Sequence, residues 1–391
     1  MRTRGTVRLA TRGSDLALRQ AAVVQSALED RRYEVELVEV ETTGDRIRDE
    51  LIHRLGRTGA FVRSLDEQVV EGEVDAAVHS MKDMPTEAPE ALIVAGIPQR
   101  AEPGDVLVTP DGSSLEELPA GATVGTSSLR RRAQLLTERP DLEVVGLRGN
   151  VDTRVEKLLA PSLQRAHERR LEAEEGEEGD DGGSGGDGDD DEPSFDRSVD
   201  EWFDDLAEVE RQALGREVDV EYDAVVLAAA GLERLGLDRD VPTSPLPVAG
   251  FVPSPGQGAI AVTALDGTDA SEAIHDAVDH PRTRVETTVE RVILAELGGG
   301  CVAPIGVYAV VQGEHVRARV QVLSTDGEEV VSASRDLPVR TYAEGARDFA
   351  ADLADRGAAD LIEAAREAAD ADDGETDEPA RGDDDGSQGS G

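Results

Sequence analysis

Between Val7 and Leu235, short apolar runs alternate with segments of helical periodicity, and the pattern runs through twice. In the first pass Val7–Ala10, Tyr33–Thr42, Val74–Val78 and Leu92–Ile97 read as strands. Asp15–Leu28, with Ser14 placed as its cap, and Val62–Val70 read as helices. The order then restarts. Asp105–Val108, Ala122–Gly125, Leu142–Leu147 and Tyr222–Leu227 read as strands. Helices open at GTSSLRRRAQLL (Gly125–Leu136), at Arg148–Leu159 and at Ala228–Leu235. Such alternation builds a mainly parallel sheet covered by helices on both faces. The fold class is therefore α/β, with two doubly wound lobes. A small α+β C-terminal domain follows. FVPSPGQGAIAV (Phe251–Val262) reads as a hinge leading into a strand, and Glu286–Leu297 as a helix. Ile305–Val311, Val316–Leu323 and Glu329–Ser334 are strands, the last two joined by an Asp326-Gly327 turn. Thr341–Ala369 is helical with a break at Gly357.

In open α/β sheets, ligands bind beyond the carboxyl ends of the strands, where helix N-termini also point. The loops placed there are Arg12-Gly-Ser14, Ser80–Asp83, Thr126–Arg131 and Arg148-Gly-Asn150; a polar, arginine-rich loop with Asp45 and GRTGAF (Gly56–Phe61) follows the second strand. The expected boundaries are 1–98 plus 257–275 for lobe one, 104–251 for lobe two, 280–370 for the third domain and 371–391 for a tail. Lobe two is interrupted at about 161–220 by a span expected to be disordered, since GEEGDDGGSGGDGDDDEP (Gly176–Pro193) has no apolar surface to bury. Asp200–Ala213, with Trp202 and Phe203, is the one stretch within it that has the makings of a helix.

The charge is extreme: 84 acidic residues against 40 basic, net −44, with 3% aromatics. Only Lys82 and Lys157 are lysines. The span 161–220 carries net −16 and the tail from Ala371 net −7, which leaves −21 on the folded body. An acidic, lysine-poor surface resembles those of proteins from salt-loving organisms. It opposes nucleic acid as a partner, because phosphates are repelled. The N-terminus has no apolar signal core and no run of about 18 apolar residues occurs, so no membrane span and a cytoplasmic location are expected. The six histidines show no metal-ligand spacing, and no metal is expected.

Cys301 is the sole cysteine, in LGGGCVAPIG (Leu297–Gly306). It can form neither an intrachain disulfide nor a multi-thiolate metal site. Two readings stay open on the residues alone: a small inert side chain, or a nucleophile or covalent anchor on a glycine-freed loop.

Seven stretches together resemble the porphobilinogen deaminase family, also called hydroxymethylbilane synthase. They are ATRGSDLAL (Ala10–Leu18), AAVHSMKDMP (Ala76–Pro85), VGTSSLRR (Val124–Arg131), LRGNVDTR (Leu147–Arg154), YDAVVLAAAGLERLG (Tyr222–Gly236), PSPGQGAIAV (Pro253–Val262) and GGGCVAPIG (Gly298–Gly306). The resemblance implies two lobes like those of periplasmic-binding-protein-type anion receptors, plus a third domain carrying the cysteine. It implies a usually monomeric enzyme that joins four porphobilinogen molecules head to tail, releasing ammonia and hydroxymethylbilane. It also implies a dipyrromethane cofactor held on Cys301 by a thioether. Asp83 is then the catalytic carboxylate, suited to bonding pyrrole N–H groups, stabilising positive charge and moving protons. Lys82, Ser80, Thr126, Ser128, Arg130 and Arg131 are the cofactor's partners. Arg12, Ser14, Arg148, Arg154 and Arg234 receive the substrate, whose acetate and propionate suit the guanidinium fork. Arg132 fits a solvated helix face, His79 a structural role, and Phe61 either pyrrole packing or core.

Two other readings compete. A two-lobed carboxylate-binding receptor uses the same lobes without chemistry, but needs neither Cys301 nor the third domain. A thiol hydrolase would need a histidine in a matching loop, and none is there. On charge alone, the chain is expected to melt at a higher temperature in molar potassium chloride than in dilute buffer, because screening weakens self-repulsion. A thermal scan across salt concentrations checks this, and a melting temperature unchanged or lowered by salt contradicts it.

Overall fold

The computed structural model describes residues 3–40, 60–87, 89–179, 195–298, 300 and 303–375. Asp45, most of the GRTGAF loop, the side chain of Phe61, residues 180–194, the tail beyond 375 and Cys301 lie outside the described residues. The first sheet holds β1 (Gly5–Thr11), β2 (Tyr33–Glu39), β3 (Ala76–Ser80), β4 (Leu92–Gly96) and β10 (Ile260–Leu265), in the order β2-β1-β3-β10-β4. The second holds β5 (Asp105–Val108), β6 (Thr123–Gly125), β7 (Glu143–Val145), β8 (Ala224–Ala228) and β9 (Thr243–Pro245), in the order β7-β6-β8-β5-β9.

The two sheets are wired alike. β1 is parallel to β2 and β3, as β6 is to β7 and β8. In each, one strand runs antiparallel to both its neighbours: β10 in the first and β5 in the second. Each of these strands is entered by the chain as it crosses from the other sheet. The backbone therefore passes between the sheets twice, at about residues 97–105 and 246–260.

Successive side chains of a strand face opposite ways, so a strand covered on both faces is apolar throughout. Leu9 packs with Val24 and Leu28 of α1 (Asp15–Asp30), whereas its neighbour Ala10 packs on the other face with Leu65 and Val69 of α2 (Ala60–Val70). In the second sheet Val106 and Val108 join one core and Leu107 the other. Each fully buried leucine contributes about 2 kcal/mol. The third sheet is a meander of β11 (Ile305–Gln312), β12 (His315–Leu323) and β13 (Val330–Pro338). Its core is closed by α9 (Pro281–Glu296) and by two helices, Tyr342–Leu353 and Ala359–Glu375, separated by Gly357 at φ 98°.

Two expectations are corrected. The span expected to be disordered from Pro161 is helical at both ends. The helix Val151–Gly179 runs straight through Pro161, and Val199–Asp205 and Glu208–Leu214 follow. Proline removes a donor, but buried Leu158, Leu159 and Ala160 before it and packed Leu163 after it hold the helix on the core. Val209 and Ala213 of the last helix fill that same core. Gln164 Nε2 donates to the Leu214 and Arg216 carbonyls at its C-terminus, at 3.1 and 2.9 Å. Farther out, the Arg170 guanidinium lies over the Phe195 and Trp202 rings, at 4.2 and 5.2 Å. The tail, expected from residue 371, begins as helix as far as Glu375. The periodicity reading also passed over β9 and the helix Asp269–Val278. Among the described residues no helix is long and apolar enough to cross a membrane.

Burial within 195–220 can be tested directly. Val209→Asp should cost at least about 2 kcal/mol, because it places a charge in the core. Val220→Asp, at a position 39% exposed, should stay within about 0.5 kcal/mol of wild type. Denaturant unfolding in molar potassium chloride measures both, and equal, small effects would return the whole span to a disordered linker.

Candidate functional site

Neighbouring parallel strands end at the same edge, and the motif loops leave from there. β1 and β3 run side by side, so Arg12 and Ser14 after one lie beside Ser80–Asp83 after the other. Gln20 of α1 ties the two loops, its Nε2 donating to Ser80 Oγ at 3.0 Å. Ser14 caps α1 through the Ala17 N–H. Met81–Asp83 forms a single 3₁₀ turn that leaves Lys82 and Asp83 exposed. That turn is gripped from behind. The Met81 N–H donates to the Ala259 carbonyl at 3.1 Å, and Arg291 of α9 donates to the Met84 and Pro85 carbonyls. Under the turn, buried His79 contacts Asp66 at 2.9 Å and Thr263 at 3.0 Å, which fits its structural role.

In the second sheet Thr126 follows β6, and Ser128 caps α3 (Leu129–Glu138) through the Arg131 N–H. Thr126 Oγ1 accepts from the Ser128 N–H, so both hydroxyls keep a proton to donate. Arg148-Gly-Asn150 follows β7. Gly149 has φ 113°, and a Cβ there would lie 2.4 Å from Thr153 Cγ2, so the loop admits only glycine. Arg154 locks it, Nε donating to the Gly149 carbonyl at 2.9 Å. Burial, with the charge of Arg131 close by, pushes Arg154 down to about 10. This guanidinium is partly buried beside another cation. An anionic ligand would relieve both penalties.

Arg130 and Arg131 of α3 are buried, and the structure gives them an internal acid that the motifs did not point to. Asp105, the first residue of β5, stands 2.8 Å from Arg130 Nη1 and 2.7 Å from Arg131 Nη2. Burial alone would raise this carboxyl, but the two guanidiniums outweigh it and hold it down to about 2. Burial lowers Arg130, against the pull of Asp105. Arg132 is exposed, as expected of a solvated face, and still reaches the Val144 carbonyl.

The two crossings meet at Gly256–Gly258. Gly256 lies so close to Met81 and Lys82 that a Cβ would come within 2.8 Å of Met81 Cγ. At Gly258 a Cβ would come within 2.7 Å of the Ala101 carbonyl. Arg234 Nη2 donates to the Gly258 carbonyl at 2.6 Å, and burial lowers its pKa. Gln257 Nε2 lies 2.9 Å from Asp105 Oδ1, and the Gln257 carbonyl accepts from Arg100 Nε at 2.7 Å. Arg100 in turn pairs with buried Glu290 of α9, which also accepts from the Gly256 and Ala309 N–H groups. Thus the Asp83 turn, Arg234, Arg130 and Arg131 all touch, directly or through one residue, the same short turn. Sequence reasoning missed Asp105, Gln257, Arg100 and Glu290. The available signal was an acid opening the otherwise apolar strand DVLV.

The donor set fits a polycarboxylate. Arg12 and Arg148 lie on loops that follow β1 and β7, Arg154 and Arg234 lie on helices that follow strand-end loops, and buried Arg130 Nε has no hydrogen-bond partner within the described residues. Asp83 is exposed on the turn that follows β3 of the first sheet.

A family model described as the porphobilinogen deaminase dipyrromethane cofactor binding domain matches residues 7–166 and 208–273. The porphobilinogen deaminase C-terminal domain model matches residues 285–355. The gap between the two parts of the first match, 167–207, falls within the acidic span. A probable porphobilinogen deaminase of Halobacterium salinarum is 57% identical over 388 residues, covering 92% of this chain and 98% of that one. The porphobilinogen deaminase of Rubrobacter xylanophilus is 38% identical, with 92% and 97% covered. Among solved structures, the methionine binding protein MetQ is similar with a TM-score of 0.34 at 12% identity, covering 70% of this chain and 89% of that one. Both family models, placed in order over most of the described residues, establish that the chain belongs to the porphobilinogen deaminase family.

Proposed function

We propose that this chain is a cytoplasmic, monomeric transferase of porphyrin biosynthesis. It condenses four porphobilinogen molecules head to tail, with loss of one ammonia at each addition, and one water supplies the hydroxyl of the hydroxymethylbilane that is released. The observation that carries the reading is the match of both deaminase family models, cofactor domain and C-terminal domain together. A receptor without chemistry would have no use for residues 285–355, which match the second model. Residues 1–98 with 257–275, residues 104–251 and residues 280–370 would be the three units arranged about the Gly256–Gly258 turn. The three sheets support that division.

Dipyrromethane, when bound, supplies the pyrrole terminus on which the product chain is built. Cys301 would carry it. Lys82, Ser80, Thr126, Ser128, Arg130 and Arg131 would hold its carboxylates, the hydroxyls as neutral donors and the cations as charge partners. Arg12, Ser14, Arg148, Arg154 and Arg234 would orient the acetate and propionate of the incoming substrate. A partly buried guanidinium such as Arg154 binds a carboxylate more strongly than a fully exposed one, because water competes less.

Asp83 does the proton work. The substrate's protonated amino group leaves as ammonia with the electron pair of its C–N bond, and the positive charge passes to the pyrrole. An exposed carboxylate on a rigid turn accepts the pyrrole N–H and stabilises that charge. After ring addition it takes up the proton released from the ring carbon that has formed the new C–C bond. Rigidity matters because charge stabilisation depends on preorganised direction, and the turn is fixed by Ala259 and Arg291.

Asp83→Asn should therefore lower turnover by at least about a hundredfold, with less effect on substrate affinity. Asp83→Glu should retain more. Steady-state kinetics on chains whose loading has been verified by mass checks this, and loaded Asp83→Asn within about threefold of wild type contradicts the role.

A further inference from the structure

Asp105 is 1% exposed and opens β5 immediately after the first crossing. Two consecutive residues of one helix reach it. Consecutive residues point about 100° apart, and two buried cations repel. Here one carboxylate draws both to one side. Oδ1 accepts from Arg131 Nε at 3.1 Å and Nη2 at 2.7 Å, while Oδ2 is the ion-pair partner of Arg130 Nη1. Gln257 fixes the acid in turn, its amide held by the Pro103 and Gly104 carbonyls. Arg131 Nη1 donates to the Val226 carbonyl. Each Nη of Arg131 carries two N–H groups, so each keeps one beyond these bonds. Arg130 Nε keeps its own. The charge of Arg131 is felt at Arg154.

We propose that Asp105 is a positioning residue for the reaction, aiming the spare N–H groups of Arg130 and Arg131 toward the Arg154 side of the cleft as one carboxylate-receiving face. This rests on the reading of those two arginines as holders of the cofactor's acids. A buried ion pair adds little net stability, since the cost of desolvation offsets the attraction, so fixing direction is the larger consequence here. The trio also carries one net positive charge instead of two. The arginines can therefore stay buried before any carboxylate arrives.

The test uses full-length wild type, Asp105→Asn, Asp105→Glu and Leu135→Ala, each purified in molar potassium chloride. Leu135 is buried on the same helix and serves as a packing control. The readout is the porphobilinogen concentration giving half-maximal covalent loading, read from the mass of the denatured chain, beside the melting temperature. Asp105→Asn should need at least about tenfold more porphobilinogen, the loss of one charge-assisted contact. Asp105→Glu keeps the charge one methylene out of place and should need about threefold more. Leu135→Ala should lower the melting temperature and load like wild type. If Asp105→Asn does not fold, Asp105→Glu decides alone. A folded Asp105 variant loading within about twofold of wild type overturns the proposal, as does a Leu135→Ala loss equal to that of Asp105→Asn. A wild-type chain that takes up no adduct overturns the underlying functional reading as well, whereas a loaded wild type beside unaffected Asp105 variants overturns the positioning role alone.

Discussion

Close backbone contact at Gly256–Gly258 is the constraint from which the rest of the cleft follows. The returning crossing is pressed against the Asp83 turn at Gly256 and against the outgoing crossing at Gly258, each too tightly for a Cβ. Both glycines also have positive φ, 74° and 81°. Any side chain here would pry the two sheets apart or move the acid from the arginines. With the contact made, four separate motifs come within reach of one another: the MKD turn, the RR pair, Arg234, and Gln257 between them. The third unit is fastened to the same place. Glu290 accepts from the Gly256 N–H, and Gly306 lies against the Val252 carbonyl. A chain of buried polar contacts thus runs from the third unit through both crossings to the arginines of α3.

The charge distribution makes sense on two length scales. A body of net −21 repels a polycarboxylate at long range. Screening shortens that repulsion to about 3 Å in molar salt, and contacts inside a desolvated cleft are screened far less. Hence an acidic surface and an arginine-lined interior are compatible in concentrated salt. Arginine serves the interior better than lysine because its guanidinium is weakly hydrated and offers several N–H groups in fixed directions. Arg130 and Arg131 use theirs on Asp105, Gln134, Gln257 and two backbone carbonyls.

Local periodicity and caps made most of the elements legible. Ser14 caps the helix it was assigned, and the Asp105–Val108 strand falls on its residues. The family motifs made the site legible as separate loops. What the sequence did not disclose is long-range. Pairing Asp105 with Arg130 and Arg131 depends on an antiparallel strand inserted by a chain crossing, which no local pattern encodes. The helix through Pro161 was missed because tertiary burial of Leu158 and Leu163 overrides a local breaker. Thr243–Pro245 was missed because three residues, one of them a proline, carry no period. The acidic composition of 161–220 hid the packing of the helical stretch read at Asp200–Ala213, where Val209 and Ala213 each supply a core contact between charged neighbours.

What Cys301 carries decides most directly whether this chain builds a tetrapyrrole. The measurement is the intact mass of the denatured, catalytically active chain, followed by mapping of the modified peptide. The prediction is a single covalent adduct of two linked pyrroles on the peptide containing Cys301. An active preparation with the bare chain mass, or with the adduct on another residue, would contradict it.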